Sequence, residues 1–209
     1  MKIEPFNLDR FQAGNLFVAF RERKNIIIFW MQVAKTMLSY VEPKAEQIEG
    51  KMIVCTDKMH RVIVQSDGKT FTTSLPFSVR MVDETYCCTL KSGIELDSKL
   101  TSEIIAALST TESFSNVEVL GFVDDVMGIS DDPDTLWIAL SELINADDGY
   151  VRFDHDPERE DGKLHPLNHI DVFFSQSATF KLGLTVKIEM EALSDLLNIK
   201  TDCHYLLKE

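Results

Sequence analysis

Residues 51–96 read KMIVCTDKMHRVIVQSDGKTFTTSLPFSVRMVDETYCCTLKSGIEL. Apolar and polar residues alternate here with a period of two, the spacing of half-buried strands. Met52 to Cys55 and Arg61 to Val64 flank Thr56-Asp57-Lys58, a hairpin signal. Ser66-Asp67-Gly68-Lys69 is a second turn, of the Asp-Gly type. Further strands are predicted over 70–73, 77–82, 85–90 and, after Ser92-Gly93, 94–96. Together they predict an antiparallel meander. His60, beside a turn, reads as structural.

Before the meander, Asn7-Leu8-Asp9 offers a helix cap, and Leu16, Phe17 and Phe20 recur at helical spacing. A helix is predicted from about Asp9 to Arg23, although Gly14 weakens it. Trp30, Val33, Ala34, Met37, Leu38 and Val41 predict a second helix from about Ile27 to Val41, closed by Pro43. The run Ile26 to Trp30 could equally start as a strand. After the meander, a short helix is predicted over 100–108 and a strand over 117–123. Asp132-Pro133 marks a helix start, with Asp as cap and Pro at the first helical position, and the helix ends near Ala146. Strands over 150–153, 170–174 and 179–186 and a helix over 189–198 finish the chain, with a turn at 175–178 and a tail holding His204. The expectation is one α+β domain over 1–209: a mainly antiparallel sheet with N-terminal helices and a C-terminal hairpin-helix. Its parts are a helical segment 1–50, a β-meander with a short helix 51–123, and a segment 124–209 holding a helix, the motif-bearing hairpin and the last helix.

No apolar run reaches the length of a membrane span, and the N-terminus lacks the apolar core of a secretory signal. Cys55, Cys87, Cys88 and Cys203 form no C-x-x-C, so reduced thiols in a cytoplasmic protein are expected. The net charge is −13. Between Asp124 and Asp161 stand thirteen acidic residues against Arg152 and Arg159, so this segment carries −11. That excludes broad, non-specific phosphate binding and leaves room for a local anion pocket. The segment reads either as solvated surface or as a docking surface for a basic protein partner.

Site-type chemistry concentrates in 147–184, which holds His155, His165, His169 and Arg152. His169 and Asp171, two apart, share one face of a strand. His165 precedes Pro166, which biases it away from helix, and the glutamate of H-E-x-x-H is missing, so a zinc-protease helix is disfavoured. Two histidines with a carboxylate can still form an open triad for a divalent metal, and Asp154, His169 and Asp171 are the candidate ligands. Alternatively His165 or His169 transfers protons while Arg152 holds a phosphate's charge. That is the part list of a phosphodiesterase acting on RNA or DNA, including a metal-independent ribonuclease. Against these stands a plain structural reading, in which Arg152 snorkels and Asn168 and His169 satisfy backbone groups beside a turn. Residues 154–160 carry the alternating carboxylates of a calcium loop, but Arg159 stands where the turn glycine belongs, which excludes an EF-hand.

The segments G-Y-V-R-F-D-H-D-P-E at 149–158, H-P-L-N-H-I-D-V at 165–172 and T-F-K-L-G-L at 179–184 resemble a bacterial domain-of-unknown-function family of about this length. The resemblance covers the C-terminal quarter to third of the chain and implies a prokaryotic origin. Arg152, Phe153, Asp154, Pro157, His165 and His169 are also similar to the R-[WY]-D, proline and clustered-histidine pattern of TumE-type toxins of toxin–antitoxin pairs. The acidic loop and the larger N-terminal part depart from that pattern. This second resemblance implies a nucleic-acid-directed activity in a defence or toxin–antitoxin setting. The expected function is thus a defence or toxin-like phosphodiesterase or nuclease. The alternatives are a non-catalytic acidic antitoxin or adaptor and a small-ligand sensor.

Overall fold

The computed structural model describes residues 3–66, 68–110, 128–174, 180–198 and 200–202. The strand expected over 117–123, the turn at 175–178, Cys203 and His204 lie outside them. Among the described residues the chain is α+β, with nine strands and five helices. The strands are β1 (Ile3–Leu8), β2 (Gly50–Cys55), β3 (Arg61–Ser66), β4 (Lys69–Ser74), β5 (Phe77–Val82), β6 (Thr85–Leu90), β7 (Val151–His155), β8 (Asn168–Val172) and β9 (Phe180–Leu184). The helices are α1 (Arg10–Leu16), α2 (Arg23–Leu38), α3 (Ser98–Thr110), α4 (Pro133–Asn145) and α5 (Met190–Leu196). No helix among the described residues is long and apolar enough to cross a membrane.

Seven strands form one sheet in the order β1-β2-β3-β4-β7-β8-β9, antiparallel throughout. The meander expected over 51–96 is therefore corrected. β5 and β6 leave the sheet as a separate hairpin, and β7 takes the place beside β4. Leu75-Pro76 follows β4, and proline cannot donate to a continuing ladder. The strand expected over 94–96 is reduced to a single bridge, Thr89 to Glu95.

The first helix is also corrected. It stops at Leu16, and β1 precedes it. Asp9 caps α1, accepting from the Gln12 N–H at 2.8 Å, while the Gln12 amide oxygen accepts from the Asp9 N–H at 3.2 Å. Phe17 and Phe20 then leave helical phase to join Phe29, Phe71 and Tyr150 in an aromatic cluster with edge-to-face contacts near 5.5 Å. Side-chain burial here overrides helical periodicity. α2 starts earlier than the periodicity suggests because the Asn25 side-chain oxygen accepts from the backbone of Arg21 and Glu22. It is a helix throughout, including Ile26 to Trp30.

Helix α2 is the pivot of the core. Its buried apolar residues, Ile26, Ile27, Phe29, Trp30, Met31, Val33, Ala34 and Met37, take up a broad arc, and Gln32 and Lys35 lie on the less buried side. A helix with so wide an apolar face must be covered on more than one side. Phe29 meets Phe71 of β4, the Trp30 indole N–H donates to Thr73 Oγ1 and the Ser74 carbonyl, and α3 and α4 pack against α2. On the sheet side, Phe6, Met52, Val54, Val62, Val64 and Phe71 share one face and are buried. Phe153 and Ile170 are buried on the opposite face.

The turn from α4 into β7 is held by two arginines. Arg23 donates to the carbonyls of Leu143 and Ala146 at the C-terminus of α4, pairs with Asp148 at 2.9 Å, and lies 5.2 Å over the Trp30 ring. Arg61 donates to Thr72 Oγ1 and to the Gly149 carbonyl. Gly149 has φ +49°, and a Cβ there would meet Ser74 Oγ at 2.7 Å and Arg61 Nη1 at 3.0 Å. Gly149→Ala is therefore expected to lower stability by about 1–3 kcal/mol, read as the shift of the urea midpoint; an unchanged midpoint would show that the turn relaxes freely.

Candidate functional site

The sheet face that is apolar from β1 to β4 becomes ionic from β7 to β9. The register explains it. Arg152 stands opposite Phe71 on one side and Asp171 on the other; Asp154 stands opposite His169; Asp171 stands opposite Lys181. Strand alternation puts all of these on the face that α2 covers further along. Arg152, Asp154, His169 and Asp171, four of the five expected site residues, thus lie on two neighbouring strands. The fifth, His165, reaches them from the β7–β8 loop, its ring 4.6 Å from that of His169. His155 is the exception among the clustered histidines. It bonds Asn168 Oδ1 through Nδ1, one residue out of phase, and therefore points to the opposite face.

The β7–β8 loop folds back on itself. Asp161 and His165 exchange backbone hydrogen bonds of 2.8 and 3.1 Å, and Asp156 N–H donates to the Leu167 carbonyl. Pro166 lies against Gly183 of β9, where a Cβ would stand 3.1 Å from the proline ring. This packing holds His165 and the Pro166 carbonyl over the site.

Arg152 Nη2 bridges two carboxylates, at 2.7 Å from Asp154 Oδ2 and 2.5 Å from Asp171 Oδ2. Both carboxylates are buried, while the arginine side chain is a third exposed. The plain reading of Arg152 as a snorkelling surface residue is therefore incomplete: its guanidinium neutralises a buried acid pair. His169 is fully buried, and its Nδ1 donates to the Pro166 carbonyl at 2.8 Å, which leaves Nε2 as the acceptor. Lys181 Nζ lies 3.2 Å from that Nε2, 3.4 Å from Asp171 Oδ1 and 3.4 Å from His165 Nδ1. His165 Nε2 faces Asp156 at 3.4 Å. Burial works against ionisation of Asp156, yet Arg159 and the His165 ring hold its pKa below the ordinary carboxylate value.

Asp154, His169 and Asp171 each offer a ligand atom within 4.8 Å of one another, all of them buried. Asp154 Oδ1 and Asp171 Oδ1 accept no hydrogen bond among the described residues. The donor types suit a divalent cation. The charge balance does not call for one, because the two carboxylates already face Arg152 and Lys181.

Beside this ionic set lies a cleft of about 540 Å³. It is lined by Ala19, Phe20 and Arg21 of the α1–α2 connection, by Arg159 of the β7–β8 loop, and by Phe173, Phe174 and Phe180. Tyr150, Arg152, Asp171 and Lys181 line it as well. Burial pushes the Tyr150 hydroxyl up to about 12, against the influence of Arg152, so it stays a neutral donor. The lining holds four cationic side chains and one carboxylate, in a chain whose net charge is −13. Phe173 has φ +66°, an uncommon conformation for a bulky residue, and is 47% exposed; Phe180 is 48% exposed, and the two rings lie 5.9 Å apart. Neither histidine of the pair is among the residues that line the cleft, whereas Lys181 and Asp171 are. Sequence reasoning missed Arg21, Lys181, Phe173 and Phe180. The lysine became readable only with the β8–β9 register, which sets it opposite Asp171.

Removing one partner of a buried ionic set costs more than removing the set. Arg152→Met is expected to lower stability by about 2–3 kcal/mol, less than for a fully buried pair because the arginine is partly exposed. Adding Asp171→Asn should restore part of that loss in a double-mutant cycle by chemical denaturation; additive losses would mean that packing, not charge, is what Arg152 supplies. No protein-family model matches this chain, and neither a curated protein nor a solved structure shows significant similarity to it.

Proposed function

We propose that the cleft binds a phosphate-bearing aromatic ligand, a nucleotide or a single-stranded stretch of RNA or DNA, and that the protein acts there on phosphodiesters. The observation that carries this reading is the concentration of Arg21, Arg152, Arg159 and Lys181 beside exposed Phe173 and Phe180, on an otherwise acidic chain. Guanidinium groups suit phosphate oxygens, and every base has a face to stack on an aromatic ring. A local basic cleft within an acidic surface favours a short segment over a long duplex, because it offers few phosphate contacts.

In this reading Arg152 binds phosphate, using N–H groups other than the Nη2 that holds the carboxylates. Lys181 faces the ligand. In this reading His165 and His169, expected as proton-transfer groups, act on the ligand through Lys181, whose ammonium both rings approach, and serve as positioning residues. A defence or toxin-like role, implied by the resemblance to TumE-type toxins, suits such a cleft. The acidic docking reading has less support. Asp148 and Asp154 of that segment are engaged by Arg23 and Arg152, although Asp131, Asp132 and Asp134 are exposed at the start of α4.

The test is binding and cleavage of short fluorescent RNA and DNA oligonucleotides. Phe173→Ala is expected to weaken binding by about tenfold, in line with roughly 1–3 kcal/mol per stacked base, and Arg21→Glu to weaken it in a salt-dependent way. Cleavage by wild type and not by Lys181→Met would support the catalytic part. If wild type neither binds nor cleaves, the reading fails, and a basic protein partner becomes the better account.

A further inference from the structure

We propose that the cleft takes one nucleotide unit ending in a phosphomonoester, either a free nucleotide or the phosphorylated end of a strand, and not an internal stretch of RNA or DNA. The inference rests on the reading of the cleft as a nucleotide site and narrows it.

Size is the first constraint. The cleft encloses about 540 Å³, within the range of roughly 300–1,000 Å³ that holds a single small ligand. Surfaces that track a strand span about 4–16 nucleotides and offer a row of aromatic platforms. Here Phe173 and Phe180 are the exposed rings of the lining, and they meet edge to face at 5.9 Å with 69° between their planes. No slot is left between them, so the pair presents a platform for one base. Phe20 and Phe174 pack instead on the buried ring of Tyr150. The platform is held under strain. Phe173 directly follows β8 with φ +66°, a conformation that bulky side chains avoid, and its N–H donates to the Tyr150 carbonyl at 3.2 Å. Its ring stays nearly half exposed, so burial offsets little of that strain. A strained, exposed ring on a cleft is what a ligand contact looks like before the ligand arrives.

Charge is the second constraint. Arg152 and Lys181 already face Asp154 and Asp171. Arg21 and Arg159 form no salt bridge among the described residues, although the charge of Arg159 is felt at Asp156. They come from the α1–α2 connection and the β7–β8 loop, far apart in the chain, and line one cleft. The cleft therefore carries guanidinium groups beyond those that Asp154 and Asp171 neutralise. An internal phosphodiester brings a single negative charge. A phosphomonoester brings about 1.5–2 at pH 7, with three strong acceptor oxygens for guanidinium forks. The terminal group matches the surplus, and the internal one leaves part of it unmet.

The full chain would be titrated by calorimetry with adenosine, its 5′- and 3′-monophosphates, and short oligonucleotides of one sequence carrying a 5′-phosphate, a 3′-phosphate or hydroxyls at both ends. A phosphorylated ligand is expected to bind at least about tenfold more tightly than its hydroxyl counterpart. A gain confined to the free monophosphates would assign the cleft to mononucleotides, and a gain shared by an oligonucleotide would assign it to strand ends. Arg21→Gln/Arg159→Gln should lose the gain and keep the weaker binding of hydroxyl ligands. Both side chains are exposed, and thermal unfolding run in parallel shows that the variant is folded. A hydroxyl-ended oligonucleotide bound as tightly as the phosphorylated ones overturns this inference and leaves the cleft a strand site. A double variant that keeps the full gain also overturns it, because the surplus charge is then not what the phosphate meets. Binding of none of these ligands overturns the inference together with the reading it rests on.

Discussion

Two carboxylates, Asp154 and Asp171, are buried side by side on neighbouring strands, and one arginine nitrogen touches both. An unpaired ionised carboxylate cannot be taken out of water without a large penalty. The pairing of β7 with β8 in this register therefore depends on Arg152 lying directly across from Asp171. A slip of one residue would turn every charged side chain of β7 into the apolar layer on the opposite face, where Phe153 and Ile170 now sit. The ionic bridge thus works as a register lock as much as a site. Its neighbours follow from it: His169 opposite Asp154, Lys181 opposite Asp171, and the cleft beyond.

The same sheet face serves two purposes. From β1 to β4 it is apolar, and Met52, Val54, Val62, Val64 and Phe71 are buried. Past Tyr150 charged residues replace apolar ones. The boundary is aromatic on both sides. Phe20 leaves α1 to meet Tyr150 and at the same time forms a wall of the cleft. Core packing and cleft geometry are joined at that ring. The early end of α1, which helical periodicity alone would not indicate, is what delivers Phe20 and Arg21 to the site.

Much of this was legible in the sequence. Strand periodicity located eight of the nine described strands, and the spacing of His169 and Asp171 placed those two on one face; that Arg152 and Asp154 join them needed the β7–β8 register. What the sequence could not show depends on contacts distant along the chain. β1 was unreadable because Pro5 interrupts its pattern, and a proline is tolerated there only because β1 is an edge strand. The departure of β5 and β6 from the sheet follows from the arrival of β7 beside β4, about eighty residues later. The separation of His155 from the other histidines required the strand phase, and the approach of Lys181 to His165 and His169 required the partner strand.

Among the described residues β9 has β8 as its one neighbour in the sheet and ends it at that side. An edge strand is held by half the ladder of a central one and opens locally at lower free energy. Lys181 and Phe180 both belong to it. The positive charge that completes the ionic set, and one of the two exposed rings, are therefore carried by one of the least protected strands of the sheet. Fraying of that edge would uncover the histidines and one face of the acid pair together. Any molecule that grips Phe180 and Lys181 at once would tie the edge down, so occupancy of the cleft and amide protection along β9 are thermodynamically one equilibrium.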